Sequence, residues 1–427
     1  MSVKIIDIAK GVQGYYIQND RFNTTLISYN FYLPLTSEDM TENALLPFML
    51  TSCCSRYKDY IELNLRLLEL YGADLSAKVS KLGDLMHIQL SISVINDEFA
   101  LDMARPVRDA AELMNDILFR PSVDGGAFLD SDLSREKRKT IERIEGEINN
   151  KRSYASTRLL SEMFGDEPYG KFIYGTVSSV KGISGERLYK TWQNMLEKAY
   201  IRINVSGKSL PETIFSSFKN ESVLQNREWK DLSCPTKPLE ENDRVNYVTD
   251  RLDVTQGKLG MGFSCDMYGD FKTAAPLIIF SDVFGGGPYS KLFSNVREKQ
   301  SLCYYCSASA RRTKGFLTVS SGIEQENADR LVSAVLKELE DMKQGNFDDE
   351  AVASSKRAIT DSLFGYYDNL SALDLWYAKQ QGDIISPEEA ADTIERVSRE
   401  SIIEAAQKVK LHTVYRLLPL GQEGKNE

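Results

Sequence analysis

The order of predicted strands and helices in the first half of the chain returns in the second half, and this repetition constrains the fold more than any other feature. In the first half, the alternating strand TTLISYNFYLPL precedes an apolar helix around NALLPFMLTSCC, a second helix and further strands. In the second half, LGMGFSCDM, AAPLIIFSDVFGGG and YSKLFSNVREKQSLCYYCSAS give the same order. Such repetition indicates a tandem duplication of one α+β unit of about 200 residues.

The duplication predicts two homologous α/β domains, residues 1–207 and 244–427, joined by a linker over residues 208–243. The linker is polar, contains several prolines, loses its periodicity towards its end and includes a short helix. We expect each domain to be a mixed or antiparallel sheet with helices stacked on one face. Two such domains suggest a clam-like chamber. The charged segment from about residue 131 to 161 predicts one long helix, and Ser37 or Thr41 is expected to cap the apolar helix.

Charge and composition exclude several classes of partner. The net charge is −10, with 62 acidic against 52 basic side chains, so we expect neither a nucleic acid nor an anionic membrane as the main partner. The first residues contain no apolar segment followed by a cleavage site, and no apolar run is long enough to span a bilayer. We therefore expect a cytoplasmic location.

Cysteine and histidine offer few metal ligands or catalytic bases. The pair Cys303 and Cys306 has CxxC spacing, but no second CxxC completes a four-thiolate zinc site. The two histidines, His87 and His412, both lie in strand-like segments without a second ligand at helical spacing. We expect these residues to be structural and the cysteines to be reduced.

The stretch FGGGPYSKLFSNVREKQSLCYYCSAS carries the most specific motif of the sequence. It combines a glycine-rich loop (Gly285, Gly286 and Gly287), a helix that begins Ser-x-Leu-Phe, and then Arg-Glu-Lys-x-x-Leu-x-Tyr. This pattern resembles the C-terminal domain of the pitrilysin/insulinase-like (M16) zinc peptidases, in their half-length bacterial and processing-peptidase type. The resemblance covers nearly the whole chain, and it implies the LuxS/MPP-like metallohydrolase fold.

The resemblance also assigns a zinc site, and this chain departs from it. Active members carry HxxEH on the first helix of the N-terminal domain, where two histidines bind zinc and the glutamate activates water. The corresponding positions here are Leu45, Phe48 and Met49. Arg143 falls on the third ligand. Glu142 and Glu145 are its neighbours, and a shift of one residue would restore only one ligand of three. The resemblance therefore implies a degenerate site and no metal or cofactor bound by this chain.

Arg297 and Tyr304 match a pair that closes over the substrate in active relatives and holds its carbonyl near the zinc. A guanidinium and a phenol can both donate to the oxyanion that develops during peptide hydrolysis. The alternative is that Arg297 makes a surface ion pair with Glu298 and that Tyr304 packs in a strand. The retained motif favours substrate binding.

Three functions remain open from the sequence. The first is a non-catalytic subunit of a heterodimeric peptidase, in which an HxxEH-bearing paralogue holds the zinc and this chain supplies Arg297 and Tyr304 to the shared peptide substrate. A homodimer is the alternative assembly in the absence of that paralogue. The second is a peptide-binding protein or scaffold without a role in catalysis. The third, a hydrolase with a cysteine nucleophile (Cys53, Cys54, Cys303 or Cys306), has little support because only two histidines are available as bases.

Overall fold

The computed structural model describes residues 3–208, 212–225, 227, 229 and 236–420. Contacts divide this part of the chain into two compact units. The first consists of described residues within Met1–Glu145, Phe172–Pro235 and Tyr366–Gln380, and the second of those within Gly146–Lys171, Thr236–Gly365 and Gln381–Glu427. Each unit therefore includes one segment that the chain order assigns to the other half, an exchange that the sequence did not predict. The linear boundaries at 207 and 244 stay a prediction, and Cys234 and much of the linker lie outside the described residues.

The first unit is built on a mixed six-stranded sheet with the strand order β1-β2-β8-β3-β5-β4. Its strands are β1 (Val3–Ala9), β2 (Val12–Gln18), β3 (Thr24–Pro34), β4 (Asp74–Leu82), β5 (Leu85–Ile95) and β8 (Tyr200–Gly207), with a small hairpin of β6 (Val123–Asp124) and β7 (Ala127–Phe128). Its helices are α1 (Met40–Leu50), α2 (Tyr60–Glu69), α3 (Pro106–Phe119), α4 (Asp130–Gly146, whose last residue is in the second unit), α6 (Val177–Lys181), α7 (Gly185–Lys198), α8 (Glu212–Lys219), α9 (Ser222–Gln225) and α13 (Leu370–Ala378).

The second unit is built on a mixed five-stranded sheet with the strand order β11-β12-β10-β13-β9. Its strands are β9 (Asn246–Leu252), β10 (Gly257–Cys265), β11 (Tyr305–Arg311), β12 (Phe316–Ile323) and β13 (Val409–Pro419). Its helices are α5 (Lys151–Phe164), α10 (Phe271–Gly285), a π-helical segment (Leu292–Lys299), α11 (Ala328–Lys343), α12 (Asp349–Gly365), α14 (Pro387–Glu395) and α15 (Arg399–Gln407).

The two sheets share one topology, and this confirms the predicted duplication. β9 and β13 are parallel, as β2 and β8 are, and the remaining neighbours in both sheets are antiparallel. Strands β2, β8, β3, β5 and β4 thus correspond in order to β9, β13, β10, β12 and β11. Strand β1 pairs only with β2 among the described strands and has no counterpart in the second sheet.

Both faces of the first sheet are covered, which corrects the expectation of helices on one face. Neighbouring residues of a strand point to opposite faces. Tyr29 of β3 donates to Asn115 of α3 at 2.7 Å, whereas the adjacent Ser28 donates to Asp374 of α13 at 2.9 Å. Helix α13 therefore covers the face opposite to α3, and in the second unit α5 packs against β10 and β13.

Two local predictions were wrong. The single helix over 131–161 is in fact α4 and α5, separated at Asn150, whose side chain accepts from the Ser153 N–H and so begins a new helix. Neither Ser37 nor Thr41 caps α1; its N-cap is Asp39, without a side-chain cap bond. None of the helices in the described part of the chain is long and apolar enough to cross a membrane.

Candidate functional site

Helix α1 is buried on nearly all sides, which explains its apolar sequence. Leu45 and Met49 are 0% and 1% exposed, and only Phe48 within the helix is partly accessible. A helix that is enclosed all round is expected to be apolar all round. Charged or imidazole side chains at the two enclosed positions would lose their hydration without a metal to compensate.

The structure brings Phe48 and Arg143 together, two positions that the resemblance assigns to the zinc site. The Arg143 guanidinium carbon lies 4.6 Å from the Phe48 ring centroid and 4.7 Å from that of Tyr174. The two rings are tilted at 41° with their centroids 6.3 Å apart. Phe48, Arg143 and Tyr174 form what we call the aromatic–guanidinium cluster. Glu142, the acid that a one-residue shift would use, pairs instead with Arg138 at 3.9 Å.

These residues do not fit a zinc ion. Leu45, Phe48 and Met49 offer no nitrogen, oxygen or thiolate ligand, and the Arg143 guanidinium carries a permanent positive charge. No group of three or more His, Cys, Asp or Glu side chains in the described ranges is placed to hold a metal ion. The cluster itself offers one positive charge and two aromatic surfaces.

A cavity of about 380 Å³ adjoins the cluster and contains an excess of positive charge. Its lining includes Arg143, Lys78 and Lys379 and no carboxylate. We call it the basic cavity. It follows β4, which is the edge strand of the first sheet, from Ala77 to Ser80.

His87 lies at the inner wall of the basic cavity and is neutral. Burial, together with the charges of Lys379 and Arg202, lowers the pKa of His87 to about 3. Its Nε2 is 2.9 Å from the Asn30 Oδ1 and its Nδ1 is 3.3 Å from the Ser80 hydroxyl, so the ring is bonded on both sides. Neither His87 nor His412 hydrogen-bonds a cysteine within the described structure, and this removes support from the cysteine-hydrolase alternative.

In the second unit the glycine-rich loop permits a close approach of helix and sheet. A Cβ at Gly285 would lie 2.6 Å from the Ala308 backbone nitrogen of β11, and one at Gly286 would overlap the Asp282 carboxylate. A Cβ at Gly287 would lie 2.8 Å from the Tyr289 ring. Gly285 thus allows the end of α10 to pack directly on the strand that follows Tyr304, whereas Gly286 and Gly287 leave room for the Asp282 and Tyr289 side chains.

Arg297 and Tyr304 line one open cavity of about 400 Å³, which we call the Arg/Tyr cavity. The Arg297 side chain is 39% exposed, lies 4.6 Å from the Phe293 ring and pairs with Glu298 at 3.5 Å. Tyr304 is 56% exposed, and its hydroxyl donates to the Glu324 carboxylate. The ion pair with Glu298 is present, as the alternative interpretation predicts, but both side chains also face an open cavity.

Two titratable groups in the Arg/Tyr cavity have shifted pKa values. The hydrogen bond and negative charge of Glu324 raise the pKa of Tyr304, so the phenol remains a proton donor at neutral pH. The neighbouring Cys306 thiol, the Ser321 hydroxyl and the Arg297 charge lower the pKa of Cys303 to about 7 despite partial burial. Both cysteines are free thiols.

Several residues of these cavities were not found from the sequence. Tyr174 lies in a connecting segment without periodicity, and Lys379 reaches the basic cavity only through α13, which comes from the far half of the chain. Glu324 directly follows β12, and its position opposite Tyr304 depends on strand register. A signal for Glu324 was available in principle, because β11 and β12 are consecutive strands.

Comparisons with known proteins agree with the geometry. Residues 182–359 match the family model described as the peptidase M16 inactive domain. The chain is 30% identical over 424 residues to the probable inactive metalloprotease YmfF of Bacillus subtilis (strain 168), covering 97% of each protein. The crystal structure of a conserved protein from Enterococcus faecalis V583 is 26% identical, with a TM-score of 0.88 over 98% of this chain and 99% of that one. The peptidase M16 inactive domain from Pseudomonas fluorescens, 16% identical, shares the fold with a TM-score of 0.79 over 99% of each chain.

Proposed function

Since the chain belongs to the M16 peptidase family as one of its inactive members, we propose that it is a non-catalytic subunit of a heterodimeric zinc peptidase. An HxxEH-bearing paralogue would hold the zinc and perform the hydrolysis. This chain would supply Arg297 and Tyr304 to the peptide bound at the partner's site.

The Arg/Tyr cavity is the observation that carries the proposal. Arg297 is permanently charged, and the raised pKa of Tyr304 keeps its hydroxyl protonated, so both can donate to a carbonyl or an oxyanion. Both are partly exposed and line the same open space. Arg297 is ion-paired with Glu298 and Tyr304 donates to Glu324, and a substrate oxygen would replace these carboxylates.

An exposed apolar helix face in the first unit supports association with another protein. Ile61, Leu65 and Leu68 of α2 are 68%, 55% and 67% exposed. Their spacing of three and four residues places them on one side of the helix. Exposed apolar patches of this kind commonly mark protein–protein contacts.

The test uses the complex of this chain with an HxxEH-bearing paralogue. We expect Arg297→Ala and Tyr304→Phe to leave assembly and zinc content unchanged and to lower peptide turnover. Loss of one oxyanion donor typically costs about 10²–10³ in rate, and a contribution to substrate binding would instead raise KM. The matched controls are Arg244→Ala and Tyr247→Phe, which change the same residue types at exposed positions outside this cavity. Wild-type kinetics in an assembled, zinc-loaded complex of either variant would refute the role in trans.

A peptide-binding role without a part in catalysis is the second candidate, and the basic cavity favours it. The cavity borders an edge strand, whose outward backbone groups can pair with an extended peptide. This candidate predicts peptide binding by the isolated chain, together with kinetics that do not respond to Arg297→Ala.

A further inference from the structure

The charge of the basic cavity is opposite in sign to the net charge of the chain. The chain as a whole carries a net charge of −10, yet three cationic side chains and no carboxylate line this space. Within a partly enclosed site, like charges reinforce one another and raise the local concentration of an oppositely charged ligand. The volume of about 380 Å³ lies within the range of about 300–1,000 Å³ that is usual for ligand pockets.

The exposed Arg143 side chain lies against two aromatic rings at one side of the basic cavity. Its guanidinium lies against the rings of Phe48 and Tyr174, at 4.6 and 4.7 Å from their centroids. Contacts with aromatic faces leave the N–H groups at the edge of the guanidinium plane able to donate. No acidic side chain of the described structure lies within ion-pair distance of Arg143. A guanidinium that stacks on aromatic rings and has unused N–H donors is suited to bind a carboxylate through two parallel hydrogen bonds.

The inner wall of the cavity is lined by neutral polar groups, and no carboxylate there would compete with a bound anion. His87 is neutral, as shown above, and Gln89 donates to the buried Asp374 at 3.0 Å. The Asp374 carboxylate is 1% exposed and also accepts from Ser28 and Asn204, so its oxygens are already bonded. A second carboxylate that enters the cavity would therefore meet Lys78, Arg143 and Lys379 rather than an exposed negative charge.

The edge strand β4 sets the direction in which an extended peptide ligand would run. Residues 77–80 of β4 line the cavity, and β4 has no strand partner on its outer side in the described part of the sheet. An extended peptide that pairs with this edge would place alternate side chains on the same side, towards the cavity.

We propose that the basic cavity is a binding site for the carboxylate of an extended acidic peptide, with Arg143 as its principal contact. The carboxylate can belong to an Asp or Glu side chain or to the peptide's C-terminus. The degenerate zinc site would thus have become an anion site. The inference rests on the proposed function only in that the ligand is a peptide, and it requires neither the zinc-bearing partner nor Arg297.

The experiment measures fluorescence anisotropy of labelled peptides with the full-length chain at neutral pH and low salt. One peptide alternates Thr and Glu, a second alternates Thr and Gln, and each is prepared with a free or an amidated C-terminus. We expect the Glu peptide to bind at least about tenfold more tightly than the amidated Gln peptide, with an affinity that falls as salt increases. Tight binding of the Gln peptide only when its C-terminus is free would identify the terminal carboxylate as the source.

The variants locate the binding. Arg143→Gln should weaken binding of the Glu peptide by about tenfold or more, and Lys78→Gln should act in the same direction. Arg143→Lys keeps the charge but loses the planar donor pair, so its loss should be intermediate. Lys337→Gln, an equal change of charge on the exposed side of α11, is the control and should have no effect.

Three results would overturn the proposal: equal affinity for the Glu and amidated Gln peptides, no measurable binding of any acidic peptide, or unchanged binding by Arg143→Gln. Each concerns the isolated chain. A failure of the proposed function would appear instead in the turnover of the heterodimer and would leave these affinities unaltered.

Discussion

Helices α5 and α13 occupy equivalent places in the two halves of the chain, yet they are held by different forces. Each follows the long helix of its half, and each is capped by an asparagine, Asn150 and Asn369, whose side chain accepts from the backbone N–H three residues on. Helix α5, from the first half of the chain, packs on the sheet of the second unit, and α13, from the second half, packs on the sheet of the first unit. The duplication thus preserves the position of the helix but not the chemistry of its contact.

The contact of α5 with β10 is apolar and depends on the absence of side chains in β10, whereas towards the sheet edge Arg158 of α5 pairs with Asp250 of β9 at 3.0 Å. A Cβ at Gly260 would lie 3.0 Å from the Leu159 side chain, and one at Gly262 would overlap the Met163 sulfur. Leu159 and Met163 lie one turn apart on the same side of α5, and Gly260 and Gly262 lie on the same face of β10. Helix and strand therefore meet along one line. Close packing of this kind stabilises through burial and dispersion and has no fixed hydrogen-bond geometry.

The α13 contact is polar and directional. Asp374 accepts from Ser28 at 2.9 Å, from Asn204 at 3.0 Å and from Gln89 at 3.0 Å. At the end of the helix Arg202 donates to the Tyr377 carbonyl at 2.8 Å. A cation at a helix C-terminus also complements the negative end of the helix dipole. A polar contact of this type specifies one position of the helix, because each donor must find its acceptor.

The largest expected effect follows from replacing the carboxylate of the α13 contact by an apolar group. Asp374→Leu removes the carboxylate that accepts from Ser28, Asn204 and Gln89, although Gln89 still donates to Asn30 and Asn204 to the backbone carbonyl of residue 374. Each lost bond costs about 1–3 kcal/mol, so three would cost roughly 3–9 kcal/mol, and the remaining bonds of Gln89 and Asn204 place the expected loss at roughly 3–6 kcal/mol. Urea unfolding followed by circular dichroism measures this change. Asp361→Leu, at an exposed position of α12, is the matched control and should stay within about 0.5 kcal/mol of the wild type. A loss no larger than that of the control would mean that α13 is held by packing, as α5 is.

This contrast also marks what could be predicted from the sequence. Strand and helix order followed from periodicity, so the duplication and the position of Arg297 just before an edge strand were accessible. The exchange of α5 and α13 was not, because periodicity shows that a helix has a buried face but not which sheet covers it. Strands β1 and β2 were missed as well; most of β1 is exposed or half-exposed and gives a weak alternating signal.

In the candidate site, too, some features could be predicted from the sequence and others depend on the fold. That Leu45, Phe48 and Met49 cannot bind zinc followed from residue chemistry alone. The cation–aromatic contact between Arg143 and Tyr174 depends on a connecting segment, and Lys379 depends on the exchanged helix, so neither could be inferred locally. The excess positive charge of the basic cavity is a property of the fold and not of any one stretch of sequence.

A smaller effect, specific to the polar contact, is a dependence of stability on pH. Burial raises the pKa of Asp374 to about 6, against about 3.9 in an unfolded chain. Between these values the folded state binds more protons than the unfolded state, so this group makes the folded protein less stable as pH rises from about 4 to 6. The decrease is up to about 3 kcal/mol, because one unit of pKa corresponds to about 1.4 kcal/mol.

Asp374→Asn removes the titration while keeping the shape of the side chain. Urea unfolding of both proteins across this pH range isolates the contribution of Asp374, since other groups, such as Glu42 with its raised pKa, are common to both. We expect the stability of the wild type relative to Asp374→Asn to fall as pH rises. A difference that is constant, or that rises with pH, would show that Asp374 is ionised in the folded protein throughout.

The smallest expected effect is a coupling energy in the apolar contact of α5. Gly262→Val places a side chain where the Met163 sulfur lies, and overpacking of this kind costs roughly 1–3 kcal/mol. Met163→Ala removes a side chain that is 4% exposed and costs roughly 2–5 kcal/mol through the space it leaves. In the double variant the valine occupies part of that space. Its loss of stability should therefore be about 1 kcal/mol smaller than the sum of the two single losses, measured by urea unfolding of all four proteins. Strict additivity would mean that Gly262 and Met163 do not share one packing space. A sub-additive result is the signature of a contact set by volume, and no apolar replacement of similar size should restore the α13 contact in the same way, because the donors around Asp374 require an oxygen.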